Sequence, residues 1–196
     1  MNIAILASGN GTNLEALAKA AKKGYFKADI KLLITDKKEA FARIRAKKLG
    51  LKDIFINPKD FSSRLEFDKE IVKILKKEKT DLVTLAGYMR IISPYFVKIF
   101  KNKIINIHPA LLPAFKGVRS IERALKHGSK ITGVTVHFVD EKIDHGPIIL
   151  QESLKIKKNE TLKELEKRVH KLEHKLYPLA IKLIIEKDTM GGKFAG

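Results

Sequence analysis

The chain has no cysteine among its 196 residues. This absence excludes disulfide bonds, thiolate metal sites and a cysteine nucleophile together. A reducing compartment suits such a chain, and we expect a cytoplasmic location. The apolar stretch from Ile3 to Ala7 is too short to span a membrane, and the amino terminus has neither a basic leader nor a small-residue cleavage site. The sequence therefore predicts neither export nor membrane insertion.

Linkers are also missing from the sequence. No stretch rich in Pro, Gly or Ser and no low-complexity tract divides the chain. Hydrophobic residues make up 44% and charged residues 32%, which is typical of folded globular proteins. A chain of this length can bury one sizeable core. We therefore predict a single domain over residues 1–196.

The formal net charge of +18 raises the question of nucleic-acid binding. Only seven of the 40 basic residues are arginine, and the lysines are scattered through every segment. No basic stripe alternates with aromatic residues, as single-strand binding would favour. This pattern indicates a lysine-rich solvated surface that attracts small anionic substrates. We expect small-molecule partners, with no nucleic acid and no membrane among them.

Short apolar runs alternate with helical periodicity along the chain. Strands are predicted at Ile3–Ala7, Ile30–Thr35, Ile54–Ile56, Leu82–Ala86, Ile104–Ile107, Gly133–Val139 and Pro147–Lys155. Helices are predicted at Asn13–Lys23, Glu39–Leu49, Arg64–Lys77 and Ser120–His127, with a long helix from about Thr161 that Pro178 should kink. This rhythm predicts an α/β fold: an open, twisted, mostly parallel, Rossmann-like sheet with helices on both faces. The short link between the last two strands predicts a partly antiparallel edge.

Three polar residues form the first candidate for chemistry. Asn106 and His108 end the strand that begins at Ile104, and their i, i+2 spacing points both side chains to one side of a sheet. Asn106 can donate to a developing oxyanion while His108 carries a proton, and Asp144 on a second loop would support the charged imidazole. The pattern indicates acyl transfer. A buried Asn that caps a turn and a His packed in the core remain the alternative.

The turn from Ser8 to Leu14 follows a strand and opens a helix, so its backbone N–H groups can hold an anion. The dinucleotide fingerprint fails, because Leu14 stands where its third glycine would fall. No Gly-Lys-Ser/Thr of a nucleotide P-loop is present. A phosphate monoester site is the favoured interpretation, and a tight turn capped by Thr12 or Asn13 is the alternative.

Two further segments each have a structural and a functional interpretation. His170-Lys171-Leu172-Glu173-His174 matches the letters of an inverted zinc-protease motif, but no third ligand is obvious, so solvated helix surface is favoured for the histidines. Glu173 is retained as an acceptor for a substrate amine or hydroxyl. The loop from Leu85 to Pro94 can pack in the core before a Ser-Pro helix start, or line an apolar slot for a flat heteroaromatic ligand.

Five segments in register resemble the folate-dependent phosphoribosylglycinamide formyltransferases, and the resemblance covers essentially the whole chain. These segments are Ser8–Leu14, Ala86–Pro94, Asn106–Pro113, Gly133–Val139 and Asp144–Ile149. The resemblance implies an enzyme of purine biosynthesis that transfers the formyl group of 10-formyltetrahydrofolate to the amine of glycinamide ribonucleotide, without a metal.

The resemblance also implies roles for individual residues. Asn106, His108 and Asp144 would carry the chemistry. The ribonucleotide would lie against Gly11, Thr12, Asn13, His170 and Glu173. The folate would lie along Arg64, Met89, Arg90, Ile91, Ile92, Asn106, Val139, Asp140, Glu141, Lys142 and Ile143.

One stretch departs from the pattern of this family. Lys116 stands where proline is expected, and Arg119 where histidine or another polar residue is common. A basic residue before Gly117 is similar to the methionyl-tRNA formyltransferases, whose additional carboxyl-terminal domain we expect to be absent from a chain that ends at Gly196. A formyltetrahydrofolate hydrolase and a folate- or phosphate-binding module without turnover are two rival functions that stay open. The oligomeric state, monomer or homodimer, stays open as well.

Overall fold

The computed structural model describes residues 1–189. Its strands are β1 (Asn2–Leu6), β2 (Asp29–Thr35), β3 (Lys52–Phe55), β4 (Leu82–Leu85), β5 (Ile104–His108), β6 (Ile131–Phe138) and β7 (Ile148–Lys155). Its helices are α1 (Thr12–Lys22), α2 (Phe41–Lys48), α3 (Arg64–Lys77), α4 (Pro94–Ile99), α5 (Ser120–Lys126) and α6 (Leu162–Thr189), with a 3₁₀ turn at Pro58–Asp60. No helix within residues 1–189 contains a stretch that is both long and apolar enough to cross a membrane. The last seven positions of the predicted 1–196 domain lie outside the described residues.

The seven strands are hydrogen-bonded in the order β3-β2-β1-β4-β5-β6-β7. β1 is parallel to both β2 and β4, and β2 is parallel to β3. β6 and β7 run antiparallel, with Thr135 opposite Gln151. These pairings confirm the predicted fold class, a mostly parallel sheet with an antiparallel edge. The chain divides into two compact units, Met1–Ile105 and a second that begins at Asn106.

The first unit is built around β1, whose residues Ile3 to Leu6 are all fully buried. A central parallel strand is covered on both faces, so a continuous apolar run, rather than alternation, is what it needs. Helix α1 contacts α2 and β2, and α3 contacts α4. Helix α4 begins after Ser93, whose hydroxyl accepts a hydrogen bond from the Phe96 N–H, as the Ser-Pro start indicated.

The second unit is held together by α6, which packs against β6, β7 and α5. Its apolar residues Leu165, Val169, Leu172 and Leu176 are buried. Helix α6 continues through Pro178, so this proline does not end the helix. A proline inside a helix removes one backbone hydrogen bond, and Pro178 itself lies among the buried residues of α6.

Gly133 of β6 is a close-approach position, and it generates a stability prediction. A Cβ at this residue would collide with the backbone carbonyl of Glu152 and lie 2.6 Å from a methyl carbon of Leu111. Gly133→Ala should therefore lower the free energy of unfolding by about 1–3 kcal/mol, as overpacking does. The matched control is Gly9→Ala, because a Cβ there meets nothing within 4 Å. Chemical denaturation measures both, and a Gly133→Ala protein as stable as the parent would contradict the close approach.

Candidate active site

The end of β5 places Asn106 and His108 on the same side of the sheet, with the buried Ile107 between them on the other side. The segment that follows is hydrogen-bonded to Thr135 of β6. The Thr135 hydroxyl donates to the Ala110 carbonyl at 2.7 Å and accepts from the Leu112 N–H at 3.1 Å. The chain after His108 is therefore fixed by buried hydrogen bonds.

Asp144 is brought to this point by a closed loop after β6. The Phe138 N–H donates to the Pro147 carbonyl at 2.8 Å, which closes the loop at its base. Gly146 lies so close to Phe138 that a Cβ would collide with the Phe138 carbonyl. Asp144 itself has a φ of 46°, a left-handed conformation that aspartate tolerates better than most residues. The loop thus turns the carboxylate back toward β5.

His108 and Asp144 form a close pair. His108 Nδ1 lies 3.2 Å from Asp144 Oδ2, and His108 Nε2 lies 3.0 Å from the Phe115 carbonyl oxygen. Only 4% of His108 is exposed. Both ring nitrogens therefore face oxygens that accept hydrogen bonds, and only the doubly protonated ring can donate to both. This geometry favours the imidazolium.

The Asp144 carboxylate collects three further contacts. Oδ1 lies 3.3 Å from Asn106 Nδ2 and 3.6 Å from His137 Nε2, while Oδ2 accepts the Gly117 N–H at 2.7 Å. Burial alone would raise the pKa of Asp144, but the His137 side chain, the Gly117 N–H and the charge of His108 together lower it to about 2. The carboxylate therefore stays ionised throughout the neutral range.

His137 is a site residue to which sequence reasoning gave no role. Its Nδ1 lies 2.8 Å from the Phe138 carbonyl, so Nδ1 carries the hydrogen. In the neutral ring Nε2 can then accept from Asn106 Nδ2 at 3.3 Å, and in the charged ring it can donate toward Asp144 Oδ1 at 3.6 Å. The first of these contacts orients the Asn106 amide. The sequence feature that could have indicated a role for His137 is its i, i+2 spacing from Thr135 on β6, which repeats the spacing of Asn106 and His108 on β5.

The pKa of His108 is lowered from its usual value, because burial outweighs the raising effects of Asp144 and the Phe115 carbonyl. The charges of His137 and Arg123 lower it further. The sequence predicts that Asp144 favours the protonated ring, and the effect of Asp144 has that sign. The pKa of His108 is nevertheless lowered overall, because burial destabilises the charged ring more than the attraction of Asp144 stabilises it.

The predicted phosphate turn lies in the first unit. Gly11 has a φ of 76° and directly precedes α1, and a Cβ there would lie 2.7 Å from Ala42 Cα. Arg45 fixes the preceding residue, because its Nε donates to the Asn10 carbonyl and its Nη2 to the Asn10 side chain, both at 3.0 Å. The first turn of an α-helix presents backbone N–H groups that have no acceptor within the helix. Thr12 and Asn13 occupy that first turn.

The predicted folate loop lies beside this turn. The Ser8 N–H donates to the Gly87 carbonyl at 3.0 Å, and the Ser8 hydroxyl accepts from the Met89 N–H at 2.9 Å. Met89 and Ile91 are 71% and 54% exposed, whereas Ile92 is buried. The loop therefore offers apolar side chains to solvent at this edge of the first unit.

The other predicted ligand residues are spread over both units. In the first, the Arg90 guanidinium lies 4.7 Å from the centre of the Phe67 ring, and Arg64 begins α3. In the second, Val139 and Asp140 are half-buried, Glu141, Lys142 and Ile143 are exposed, and Asp140 Oδ2 lies 2.6 Å from His145 Nδ1.

His170 and Glu173 form a pair on α6, at 2.9 Å between Nδ1 and Oε2. Glu173 is buried, and its hydrogen bond raises the pKa of His170. The structure thus brings Asn106, His108 and Asp144 together within the second unit. A single site that also holds the turn at Gly11 stays a prediction.

Three comparisons relate this chain to known proteins. The sequence profile of the family described as formyl transferase matches residues 1–181. The phosphoribosylglycinamide formyltransferase of Bacillus subtilis is 40% identical over 190 residues, which are 97% of this chain and 97% of that protein. The crystal structure of phosphoribosylglycinamide formyltransferase from Bacillus halodurans superposes with a TM-score of 0.93 at 41% identity, covering 96% of this chain and 97% of the other. The human trifunctional purine biosynthetic protein adenosine-3 is 42% identical over 191 residues, and the chain spans 19% of its length.

The contact between Asp144 and His108 generates a titration prediction. Asp144→Asn removes the negative charge that raises the pKa of His108, so the ring should lose its proton at a lower pH than in the parent protein. NMR of labelled histidine measures this shift. Asp140→Asn is the matched control, because Asp140 contacts His145 instead. If the His108 titration moved equally in both variants, or in neither, Asp144 would have no specific effect on the ring.

Proposed function

The chain belongs to the phosphoribosylglycinamide formyltransferases of the formyl transferase family, and we propose that it transfers the formyl group of 10-formyltetrahydrofolate to the amine of glycinamide ribonucleotide in de novo purine biosynthesis. One observation carries the proposal. Asn106 and His108, at the end of β5, each lie within hydrogen-bonding or ion-pairing distance of Asp144, in a chain 40% identical to a phosphoribosylglycinamide formyltransferase over nearly its whole length.

The reaction joins the ribonucleotide nitrogen to the formyl carbon and breaks the bond from that carbon to the folate nitrogen. As the first bond forms, negative charge develops on the formyl oxygen. We assign stabilisation of this oxyanion to the Asn106 side chain and to the positive charge of the protonated His108 ring. The attacking amine loses a proton and the departing folate nitrogen gains one, so the atoms and electrons of the transfer balance between the two substrates.

His108 and Asp144 divide the handling of protons between them. Asp144 stays ionised because its pKa is about 2, and it supports the imidazolium whenever His108 is charged. Burial lowers the pKa of His108, which makes the protonated ring a stronger acid near neutral pH. A weaker acid would hold its proton too firmly to assist the departing nitrogen. Desolvation therefore lowers the pKa of His108, while the ion pair with Asp144 raises it.

The ribonucleotide phosphate is assigned to the turn at Gly11, Thr12 and Asn13, where backbone N–H groups and the helix dipole favour an anion. His170 and Glu173 are assigned to the rest of that substrate. A carboxylate beside the ribose or the amine supplies the acceptor that these groups need. The net charge of +18 favours approach of the anionic substrate.

The folate is assigned to the exposed apolar side chains Met89, Ile91 and Ile143, together with Arg64 and the other predicted residues of both loops. Apolar side chains suit a flat heteroaromatic ring, and the cation of Arg64 suits the carboxylates of a folate. A single domain over residues 1–196, a cytoplasmic location, and the choice between monomer and homodimer stay predictions.

The acceptor is the substrate that separates this proposal from its rivals. The purified chain should be supplied with 10-formyltetrahydrofolate and with glycinamide ribonucleotide, charged initiator tRNA or water alone, and release of tetrahydrofolate followed. We expect rapid turnover with the ribonucleotide only. Comparable turnover without any acceptor would identify a hydrolase. Turnover with tRNA alone would direct attention to the basic residues Lys116 and Arg119, and no turnover at all would leave a binding module.

The phosphate assignment generates a second prediction. Gly11→Val places a side chain against Ala42 at a residue with a left-handed φ, so it should weaken ribonucleotide binding by at least about tenfold while changing folate binding less. Calorimetry with each ligand measures the two affinities. Gly24→Val is the matched control, because Gly24 has a φ of 71° but open space around it. Equal loss of both ligands would indicate misfolding, and unchanged ribonucleotide affinity would place the phosphate elsewhere.

A further inference from the structure

The backbone segment Phe115–Gly117 contacts both members of the His108–Asp144 pair. The Phe115 carbonyl lies 3.0 Å from His108 Nε2, and the Gly117 N–H donates to Asp144 Oδ2 at 2.7 Å. One short segment thus contacts the His108 ring nitrogen that faces away from Asp144 and the Asp144 oxygen that faces His108. Any movement of this segment changes both contacts.

The segment has a conformation that needs external support. Phe115 and Gly117 have φ angles of 52° and 79°. A left-handed conformation is ordinary for glycine but unusual for a bulky residue such as phenylalanine. Contacts from outside the segment must therefore hold Phe115, because its own backbone preference opposes the observed conformation.

Arg123 on α5 supplies such a contact. Its Nη2 donates to the Phe115 carbonyl at 2.8 Å and also to the Lys116 carbonyl. Helix α5 is itself anchored, since Ile121 and Ala124 are buried and the Ser120 hydroxyl donates to the Pro109 carbonyl. A planar guanidinium suits this task, because one nitrogen reaches two neighbouring oxygens from a fixed plane.

We propose that Arg123 is a positioning residue for the formyl transfer: it holds the Phe115 carbonyl in place and thereby fixes the His108 ring against Asp144. The inference rests on the proposed function, because it assigns His108 and Asp144 to catalysis. Arg123 acts through the backbone of the segment and touches neither substrate nor the reacting atoms. Its hydrogen bonds to the carbonyls of Phe115 and Lys116 connect α5 to the segment that departs from the family pattern.

The charge of Arg123 is separable from its hydrogen bonds. The charged or titratable groups that act on His108 are Asp144, His137 and Arg123. Arg123→Gln removes the charge but can still donate to one carbonyl, whereas Arg123→Ala removes both. Loss of the charge alone should raise the pKa of His108. Because the protonated ring is the active form in the proposed mechanism, the alkaline limb of the kcat profile should move to higher pH in Arg123→Gln.

The test compares kcat and KM for Arg123→Ala, Arg123→Gln and Lys126→Gln with both substrates. Lys126 lies on the same helix, is exposed and pairs with Glu122, so Lys126→Gln matches the loss of charge without touching the segment. We expect Arg123→Ala to lower kcat about tenfold, short of the roughly 100-fold that a misplacement of about 1 Å can cause. KM should change less than about twofold. Arg123→Gln should recover most of the loss, and Lys126→Gln should match the parent.

Two results would overturn the inference. One is an Arg123→Ala enzyme with the same kcat as Lys126→Gln, and the other is an Arg123→Gln enzyme as impaired as Arg123→Ala. NMR of His108 in the unliganded protein provides a readout independent of turnover, because loosening of the Phe115 carbonyl should move the Nε2 resonance in Arg123→Ala more than in Arg123→Gln. If the parent enzyme were inactive with the ribonucleotide, the proposed function would fail, and the His108 resonance would still decide the role of Arg123.

Discussion

The Asp144 carboxylate is the interaction on which the candidate active site depends. Its two oxygens contact the side chains of Asn106, His108 and His137 and the backbone of Gly117. A carboxylate that is partly withdrawn from water needs such contacts, because they replace the hydration of its charge. The loop after β6, the end of β5 and the segment that contains Gly117 are therefore arranged around one negative charge. Removal of that charge would leave several donors without their acceptor.

Opposing electrostatic effects meet at His108. Burial favours the neutral ring, while Asp144 and the Phe115 carbonyl favour the charged one. In the proposed mechanism this ring both stabilises an oxyanion and releases a proton, and neither effect alone would suit both tasks. Placed together, they hold the ring in one orientation and leave its pKa below the usual value. The same interior position excludes water, which strengthens each hydrogen bond to a developing charge.

Periodicity and spacing predicted much of this structure from the sequence. The bounds of α3 match the prediction, and the i, i+2 spacing of Asn106 and His108 gave their common side of the sheet. The fold class and the family are confirmed. The contacts of Phe115 and Gly117 could not be predicted from the sequence, because they are made by backbone atoms that every residue has. The sequence predicted the raising effect of Asp144 on the pKa of His108 but not the net direction, since it shows the partner charge and not the depth of burial.

The turnover number of His108→Ala with 10-formyltetrahydrofolate and glycinamide ribonucleotide tests the central claim most directly. A positioned general acid is worth roughly 10²- to 10⁴-fold in rate. The account therefore predicts a loss of that size in kcat, with folate affinity largely retained because His108 contributes to the chemistry rather than to the folate surface. A His108→Ala enzyme that turned over at nearly the parent rate would contradict the account.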